Sequence, residues 1–451
     1  MVAKRYWLTF GATLAVLLVA CGGPPPAASL PTATDTPAPP PTATPLPPPT
    51  ATPTPPPPTD TPEPAPTDTP APTDTPAPPP TPAPPTPTPI PDTGEATSPN
   101  WQVQTIDTGI KPALALDSQD RPHVTYMVEA EHGYVKYAVP AGQGWSLNIA
   151  AEGYFYGPPA IAVEGDGTPH IVWHDHQHPT EFRPELGDAT RAVLRNGEWF
   201  VGAVKNQGHD GWDNSIVVDS QGKAHTVSID PSQFGSTNGV EYALFDNGWQ
   251  VEAIGSGPIA YEFGTAIDVD GQDLPGITYY NDVAGTLQYA HRSADGLWTI
   301  ETVDDGGNAG KFSSLAYDAG GRPHISYYVE ESDSAGTVRY AVWDGSAWQV
   351  EDVDNLANVE QGRIGARHLT WLEVDSQGRP HLAYNDRDAL KYAVKTDGGW
   401  QIEVVAEAGG NPFGQLVVMD LDSQDRPHLV YSIFTHLLIP EGVVKYAVRS
   451  E

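Results

Sequence analysis

Six acidic residues recur at one position of a repeated pattern, and carboxylates in such a set bind cations or sugar hydroxyls. Each ends a short apolar run and is followed by a segment of irregular length: Glu129, Asp175, Asp230, Asp282, Glu330 and Asp386. Carboxylate oxygens are ligands that Ca²⁺ prefers. If the six side chains face a common opening, they predict a calcium site or a glycan site. In so acidic a protein they also form an ordinary solvated rim, which is our default interpretation.

A histidine-rich segment is the candidate for binding a transition metal. Its histidines alternate with other residues, at His174, His176 and His178. In an extended strand alternate side chains face the same way, so these three would share one side. Histidines at this spacing can bind Zn²⁺ together, with His209 as a candidate further ligand. A polar loop without metal is the alternative interpretation.

Aromatic and arginine side chains fall in the same irregular segments. They are Tyr156, Trp212, Tyr261 and Phe312, with Arg183, Arg363, Arg367 and Arg387. Aromatic rings offer stacking surfaces for sugars, and guanidinium groups bind carboxylates in a bidentate way. This mixture suits a carbohydrate, including an acidic one. The alternative is that the aromatic side chains pack within their own loops.

A second set of histidines recurs too regularly to form one active site. A turn acid stands at the same place in every repeat: Asp117, Glu164, Asp219, Asp270, Asp318, Asp375 and Asp422. Histidine follows six residues later in every repeat except the fourth, which has Gly276. An active site gathers a few histidines in one place, whereas these occupy equivalent positions along an array. We predict that they pack and hydrogen-bond between repeats.

Tryptophans at regular intervals divide the chain into seven repeats: Trp101, Trp145, Trp199, Trp249, Trp298, Trp348 and Trp400. The repeat that begins at Trp298 shows four strand signals, at 298–303, 314–317, 323–328 and 338–343. The strands alternate with short Gly-rich or Asp-rich turns. A repeat of about fifty residues built from four strands is typical of a β-propeller blade.

The two ends of the array predict how the ring closes. The last repeat stops after its third strand, and 101–106 is a Trp-containing strand with no repeat before it. Pairing this strand with the blade begun by 416–448 would remove exposed sheet edges. We therefore predict an all-β domain over 101–451, a seven-bladed propeller of four-stranded blades closed by its N-terminal strand. Closed edges and a high negative charge favour a monomer.

The repeated turns resemble those of bacterial secreted propellers with Asp-x-x-Gly-x-Pro-His repeats, a group that includes BNR and NHL-like repeats. The clearest example is Val-Asp-Ser-Gln-Gly-Arg-Pro-His at 374–381. The resemblance covers all of 101–451 and implies the propeller fold. It implies no particular activity, because such propellers include lectins, hydrolases, lyases and scaffolds.

The first hundred residues predict export and a tether. Lys4 and Arg5 precede an apolar run that is short for a membrane span. Leu-Val-Ala-Cys at 18–21 then resembles a bacterial lipobox. The resemblance implies a signal peptide over 1–20, lipidation of Cys21 and anchoring to the outer face of a bacterial membrane, extracellular or periplasmic. An ordinary secretory peptide is the alternative.

Residues 21–100 predict a disordered linker. Thr-Pro, Ala-Pro and Pro-Pro pairs dominate this stretch, and few apolar side chains are present to bury. Proline also removes backbone hydrogen-bond donors, so the segment cannot form a core. We expect an extended spacer between the lipid anchor and the propeller.

The charge of the chain restricts its partners. Lys and Arg number 23 against 57 Asp and Glu, a formal net charge of −34. Such a surface repels phosphate backbones and anionic lipid headgroups. Nucleic acid is therefore excluded as a partner, and we expect membrane association only through the lipid anchor.

Three functions compete on this sequence. The long irregular segments share one face of the predicted propeller, opposite the short Asp turns, and variable loops on a rigid scaffold are where binding usually resides. The leading hypothesis is a surface-tethered module that binds a glycan or an envelope protein through that face. The second is a polysaccharide-active enzyme, a lyase or glycosidase-like propeller, with His209, Tyr156, Arg363 and Arg367 in catalytic roles. The third is a structural scaffold.

Overall fold

The computed structural model of this protein describes most of the repeat array and a short segment before it. The described residues are 94–128, 133–176, 187–205, 211–230, 239–256, 264–332, 335–356, 370–385, 388–407, 413–435 and 441–450, without the side chains of 156, 176, 256 and 413–415. Pro84–Glu451 is one compact unit. Within the described ranges, no helix is long and apolar enough to span a bilayer.

In these described ranges, twenty-nine strands, numbered in chain order, form seven antiparallel sheets. The first two are β1 (Ala96–Thr97) and β2 (Trp101–Thr108). Blade 1 contains β3–β6: Ile110–Leu116, Pro122–Val128, Gly133–Ala141 and Gly144–Gly153. Blade 2 contains β7–β10: Phe155–Val163, Pro169–His176, Gly187–Arg195 and Glu198–Ala203. Blade 3 contains β11–β14: Trp212–Val218, Ala224–Asp230, Gly239–Phe245 and Trp249–Ser256.

The remaining blades repeat this order from the innermost strand outwards. Blade 4 contains β15–β18: Thr265–Val269, Pro275–Asn281, Thr286–Arg292 and Trp298–Asp304. Blade 5 contains β19–β22: Ala309–Tyr317, Pro323–Ser332, Ala335–Trp343 and Trp348–Leu356. Blade 6 contains β23–β26: Thr370–Val374, Pro380–Asn385, Ala389–Thr396 and Gly399–Glu407. Blade 7 contains β27–β29: Phe413–Leu421, Pro427–Phe434 and Gly442–Arg449.

The N-terminal strand closes the ring, as the sequence predicts. Strand β2 pairs with β29 of blade 7, with Trp101 opposite Arg449. The seven-bladed fold with four-stranded blades is therefore confirmed.

The chain also uses residues before 101. Strand β1 adds a fifth strand to blade 6, with Ala96 opposite Glu407. The carboxylate of Glu95 forms an ion pair with the ammonium group of Lys445 in blade 7, at 2.7 Å. One N-terminal segment thus joins the sixth and seventh blades.

The hydrophobic core lies between neighbouring blades. Second strands are buried along nearly their whole length because both of their faces are covered by adjacent sheets, as in β4, β12 and β16. Outermost strands are largely exposed, as in β6 and β10. The apolar runs of the sequence therefore mark the second strands, and the alternating Trp segments mark the outermost ones.

The recurrent histidines hold each blade to its own first turn. The Nε2 atom of His381 lies 3.1 Å from the Asp375 carboxylate, and the hydroxyl of Tyr392 lies 2.6 Å from Nδ1. A carboxylate only accepts, so Nε2 carries the proton and Nδ1 accepts from the tyrosine. The same network recurs at His123, His225, His324 and His428.

These histidines are structural, as predicted, but the prediction that they hydrogen-bond between repeats is wrong, because their partners belong to the same blade. All are buried, and burial lowers the pKa of His381 despite its carboxylate partner. In blade 2 the neighbour is Arg191 in place of tyrosine, at 3.0 Å from His170 Nδ1. Burial and this guanidinium lower the pKa of His170 to about 4. The imidazoles are therefore neutral packing groups at neutral pH.

Candidate functional site

The two faces of the propeller differ in the connections they carry. In six blades the turn between the first and second strands is held by its own acid, as where Asp117 accepts the backbone N–H groups of Gln119 and Arg121 at 2.8 and 3.0 Å. In blade 2, Asp166 accepts the Thr168 N–H group instead, at 2.9 Å. All seven of these turns are described. The connections outside the described residues all belong to the opposite face, which we call the long-loop face: 129–132, 177–186, 206–210, 231–238, 257–263, 333–334, 357–369, 386–387, 408–412 and 436–440.

Most residues predicted for the site lie in those connections or in the leader. Outside the described residues are Cys21, Glu129, His178, Arg183, Tyr261, Arg363, Arg367, Asp386 and Arg387, and the side chains of Tyr156 and His176 are not described either. The structure therefore tests only part of the predicted set. The described members are His174, Asp175, Trp212, Asp230, Asp282, Phe312 and Glu330.

Two of the predicted stacking residues belong to the core. Trp212 and Phe312 are each 2% exposed. Trp212 packs between blades 3 and 4, and Phe312 packs against Tyr328 with ring centroids 6.3 Å apart. Neither ring offers a free surface to a sugar in this structure. Their segments read as loops in the sequence, but β11 and β19 begin further upstream than their apolar runs indicate.

His174 is also buried, at 1% exposure. Its ring lies against that of Trp212 with centroids 4.9 Å apart, and Gly187 of the paired strand packs directly on it. A Cβ atom at Gly187 would lie 2.1 Å from the imidazole, so only glycine fits there. Within the described part of the chain, no three metal-ligating side chains come together. A zinc site here remains a prediction about residues the structure does not describe.

The predicted ring of carboxylates is not uniform. Asp282 is exposed, whereas Glu330 is half-buried and forms an ion pair with Lys311. Lys311 is itself 5% exposed and lies 5.4 Å from the centre of the Tyr280 ring. Asp230 lies 3.6 Å from Lys205. Two of the acids therefore contact ammonium groups of the protein, and they do not form an open calcium shell in the described structure.

A set of ion pairs joins the blades just below the long-loop face. In blade 6, Tyr384 and Lys391 both donate to Asp354 of blade 5, at 3.0 and 2.9 Å. The same arrangement of tyrosine, base and acid of the preceding blade recurs as Tyr126, Lys136 and Asp107, and as Tyr327, Arg339 and Asp304. These contacts fix the strand ends from which the long loops start.

One boundary reverses these charges. Between blades 2 and 3 the base belongs to the earlier blade: Lys205 donates to Glu241 at 2.7 Å. Glu241 stands where four of the other blades have Lys136, Arg339, Lys391 or Lys445. The geometry of the contact is retained with the charges exchanged.

The innermost strands of all seven blades enclose a channel with a cavity of about 330 Å³. Three acids line it at equivalent positions of blades 4, 6 and 7: Asp268, Glu373 and Asp420. The other blades have alanine or valine there: Ala115, Ala162, Val217 and Ala316. Trp371 also borders the channel, and its indole donates to Glu373 at 3.0 Å.

Enclosure in the channel raises the pKa of these three acids. Burial raises the pKa of Asp268 and of Asp420 to about 6, although backbone N–H groups donate to both. Burial, together with the nearby charge of Asp420, raises the pKa of Glu373 well above its ordinary value. Near neutral pH the channel can therefore take up and release protons, and it offers several oxygen atoms to hydroxyl groups or cations.

The sequence contains a signal for this group. Each acid stands two residues before its turn acid, in a strand where that position is otherwise small and apolar. A charged side chain on the innermost strand of three blades indicates that those positions face a shared space. The repeat pattern alone does not show that the three blades face one another across it.

Comparison with known proteins shows the fold. No protein-family model and no curated protein sequence matches the chain. An ulvan lyase of polysaccharide lyase family 25, bound to -[GlcA(1-4)Rha3S]-, is similar in structure with a TM-score of 0.53 and 14% identity, over 77% of this chain and 95% of that one. A second structure of that family has the same TM-score and coverage at 13% identity. At such identities the similarity shows the propeller fold alone.

Proposed function

We propose that this protein is a surface-tethered module that binds a glycan through the long-loop face of its propeller. The observation that carries the proposal is the contrast between the two faces. The first turn of every blade has the same length, five residues, while the connections of the opposite face range from one residue at 154 to thirteen at 357–369. A rigid scaffold with variation confined to one face is the arrangement expected of a binding surface.

The central channel supports a carbohydrate as the ligand. Asp268, Glu373 and Asp420 supply oxygen atoms, and Trp371 supplies an indole ring. Sugars are held by hydrogen bonds to their hydroxyl groups and by apolar contact with aromatic rings. These groups lie near the short-turn end of the channel, so a terminal sugar from the long-loop face would have to reach through the channel to meet both kinds of group.

Cys21 and the linker complete the proposal. A diacylated Cys21 would hold the protein on the outer face of a bacterial membrane, and residues 22–93 would separate the propeller from that surface. Export is tested by labelling cells with a radioactive fatty acid. Incorporation into the wild-type chain but not into Cys21→Ser supports the anchor, and equal incorporation contradicts it.

The binding function is tested with residues Pro84–Glu451 on an array of neutral and acidic glycans, with and without calcium. We expect selective binding, and we expect Glu373→Gln together with Asp268→Asn to weaken it if the sugar enters the channel. An exposed acid on the face opposite the long-loop face, Asp397 in the turn between β25 and β26, gives the control variant Asp397→Asn. If the folded protein binds no glycan on the array, the proposal of a glycan ligand is contradicted, and an envelope protein is left as the partner.

A lyase is the second candidate function. The observation that favours it is the pKa of about 6 for Asp268 and for Asp420, which lets a carboxyl group exchange protons near neutral pH. The polysaccharide lyase of similar fold is bound to -[GlcA(1-4)Rha3S]-, which contains a uronate. Incubation with uronate polysaccharides, followed by ultraviolet absorbance of the unsaturated product, tests this. A signal lost in Asp268→Asn would support the enzyme, and no signal on any polymer would exclude it for those substrates.

A further inference from the structure

Three boundaries between blades hold a cation of the protein against a tyrosine–tryptophan pair. Between blades 3 and 4, the guanidinium carbon of Arg292 lies 5.6 Å from the centre of the Tyr242 ring and 5.9 Å from that of Trp298. The equivalent cations are Lys395 over Tyr340 and Trp400, and Arg449 over Tyr392, which itself packs on Trp101. Aromatic faces attract cations, so these groups stabilise the boundary.

A glutamate of the earlier blade completes each of these sites. Glu252 lies 3.0 Å from the Arg292 guanidinium. Glu351 pairs with Lys395, and Glu403 accepts from Arg449 at 2.9 Å. The indoles of Trp400 and Trp101 donate to these last two carboxylates, each at 3.1 Å. Each site thus combines two aromatic rings, one carboxylate and one cation.

The boundary between blades 4 and 5 has the same frame without an arginine or lysine, and His291 stacks on Tyr289 there with ring centroids 5.5 Å apart. Tyr289 and Trp348 pack edge to face with centroids 5.3 Å apart, and Trp348 donates to Glu301 at 3.4 Å. In the three cation sites, the arginine or lysine is the third residue after the repeat tyrosine of the later blade. In blade 5 that residue is Trp343. Among the described residues, the ion-pairing partner of Glu301 is His291, at 3.9 Å with its side chain 39% exposed.

A cavity of about 240 Å³ occupies this boundary. Its walls include Tyr289, Trp343, Trp348 and Glu301. Arg292 also borders the cavity, but its guanidinium is held by Glu252 and the aromatic pair of the neighbouring boundary. The cavity therefore offers three aromatic rings and a carboxylate in a frame that elsewhere encloses a positive charge.

We propose that this cavity binds an organic cation, with a guanidinium or alkylammonium head group, from outside the protein. A fourth boundary supports the assignment. Phe245 and Trp249, at the positions of Trp343 and Trp348, hold the guanidinium of Arg191 at 4.3 and 5.4 Å from their ring centres. The formal net charge of −34 also draws cations to the surface.

This site is separate from the proposed glycan site. The cavity borders the turn residues Asp270 and Gly321, which lie at the opposite end of the blades from the long-loop face. Its ligand is either a free organic cation or the arginine or lysine side chain of a partner. Both kinds of ligand present the same cationic head group. The probes described below distinguish a free cation from a partner's side chain.

The test is calorimetric titration of the full chain at low ionic strength with methylguanidinium and with its neutral counterpart methylurea. We expect methylguanidinium to bind about tenfold or more tightly than methylurea, because the charge supplies the attraction. Tighter binding of Nα-acetyl-arginine amide would indicate a partner side chain, and weaker binding would indicate a free cation; both outcomes support the site.

Three variants decide where the cation binds. Trp343→Lys places an ammonium group where Lys395 stands in the next boundary, so it should fill the cavity from within and abolish binding. Glu301→Gln should weaken binding about tenfold, since an amide replaces a charged acceptor. Glu351→Gln, in a boundary already occupied by Lys395, is the matched control and should bind as the wild type does.

Circular dichroism melting confirms that each variant is folded. Absence of saturable methylguanidinium binding would overturn the proposal, as would equal binding of methylurea. Unchanged binding in Glu301→Gln would also overturn it, and that variant remains informative if Trp343→Lys fails to fold.

Discussion

The hydroxyl oxygens of Tyr289 and Tyr317 lie 2.6 Å apart across the boundary between blades 4 and 5. In five other blades the tyrosine equivalent to Tyr289 bonds to the histidine of its own blade. Blade 4 has Gly276 in place of that histidine, and a Cβ atom there would lie 2.1 Å from the Tyr317 hydroxyl. A tyrosine of the next blade thus occupies the space and the hydrogen-bonding role of the missing imidazole.

Gly276→His should destabilise the protein because the imidazole and the Tyr317 ring cannot share this space. We expect a loss of about 1–3 kcal/mol in the free energy of unfolding, typical of overpacking. The measurement is thermal or denaturant unfolding followed by circular dichroism.

Gly276→His combined with Tyr317→Val should recover most of that loss. The residue equivalent to Tyr317 is leucine or valine in the other six blades, for example Val269 and Val374. A double variant as unstable as the single one would show that Tyr317 does not substitute for the histidine.

Glu373→Gln should make the protein more stable at high pH. A carboxyl group whose pKa is raised in the folded state binds its proton more tightly there, so its contribution is complete below the unfolded pKa and is lost as the pH rises through the folded value. Glutamine cannot ionise and can still accept the Trp371 indole hydrogen bond. The melting temperature of the variant should exceed that of the wild type at pH 8, and the difference should shrink towards pH 4.

Glu407→Gln serves as the control in the same blade, because Glu407 is exposed. Its melting temperature should follow that of the wild type throughout the pH range. If Glu373→Gln behaves like this control, the channel does not raise the pKa of Glu373.

Exchanging the reversed ion pair between blades 2 and 3 should be tolerated. Lys205→Glu brings two carboxylates together beside Glu241 and should cost about 1 kcal/mol, since both side chains are only partly exposed. Lys205→Glu with Glu241→Lys restores opposite charges in the polarity of the other boundaries. A double-mutant cycle in denaturant unfolding measures the coupling. Additive losses in the double variant would show that the pair contributes nothing.

Removing the N-terminal segment up to Ser98 should destabilise the closed ring. Lys445 would lose Glu95, and this ion pair is largely buried, with side chains 12% and 8% exposed. A buried ammonium without its partner costs several kcal/mol in general, so we expect a clear fall in the melting temperature. Lys445→Met in the shortened chain should restore part of the lost melting temperature. If it restores none, the loss is due to the absence of β1 rather than to the unpaired ammonium group.

The periodic features of the chain predict the fold because they depend on neighbours in sequence. Asp375 and His381 are six residues apart, and the turn between them brings them together within one hairpin. The alternating pattern after each tryptophan predicts an outermost strand for the same reason. The orphan strand at Trp101 was enough to predict how the ring closes.

The candidate site was less predictable, because it depends on burial. Trp212 and Phe312 have the composition of a binding loop, yet they are core residues. Glu330 has the position of a rim acid, yet Lys311 neutralises it. The type of a side chain shows what it can bind, but not whether other residues of the protein already contact that side chain.

The sequence by itself determined the seven repeats, the four strands of each blade and the partner of the N-terminal strand, because strand periodicity and turn chemistry are local. Only the tertiary structure decided which residues meet across the ring. It placed Asp268, Glu373 and Asp420 around one channel, and it left Glu301 beside an aromatic cavity where other blades supply a cation. Those relationships join residues of different blades, and no local pattern specifies the distance between them.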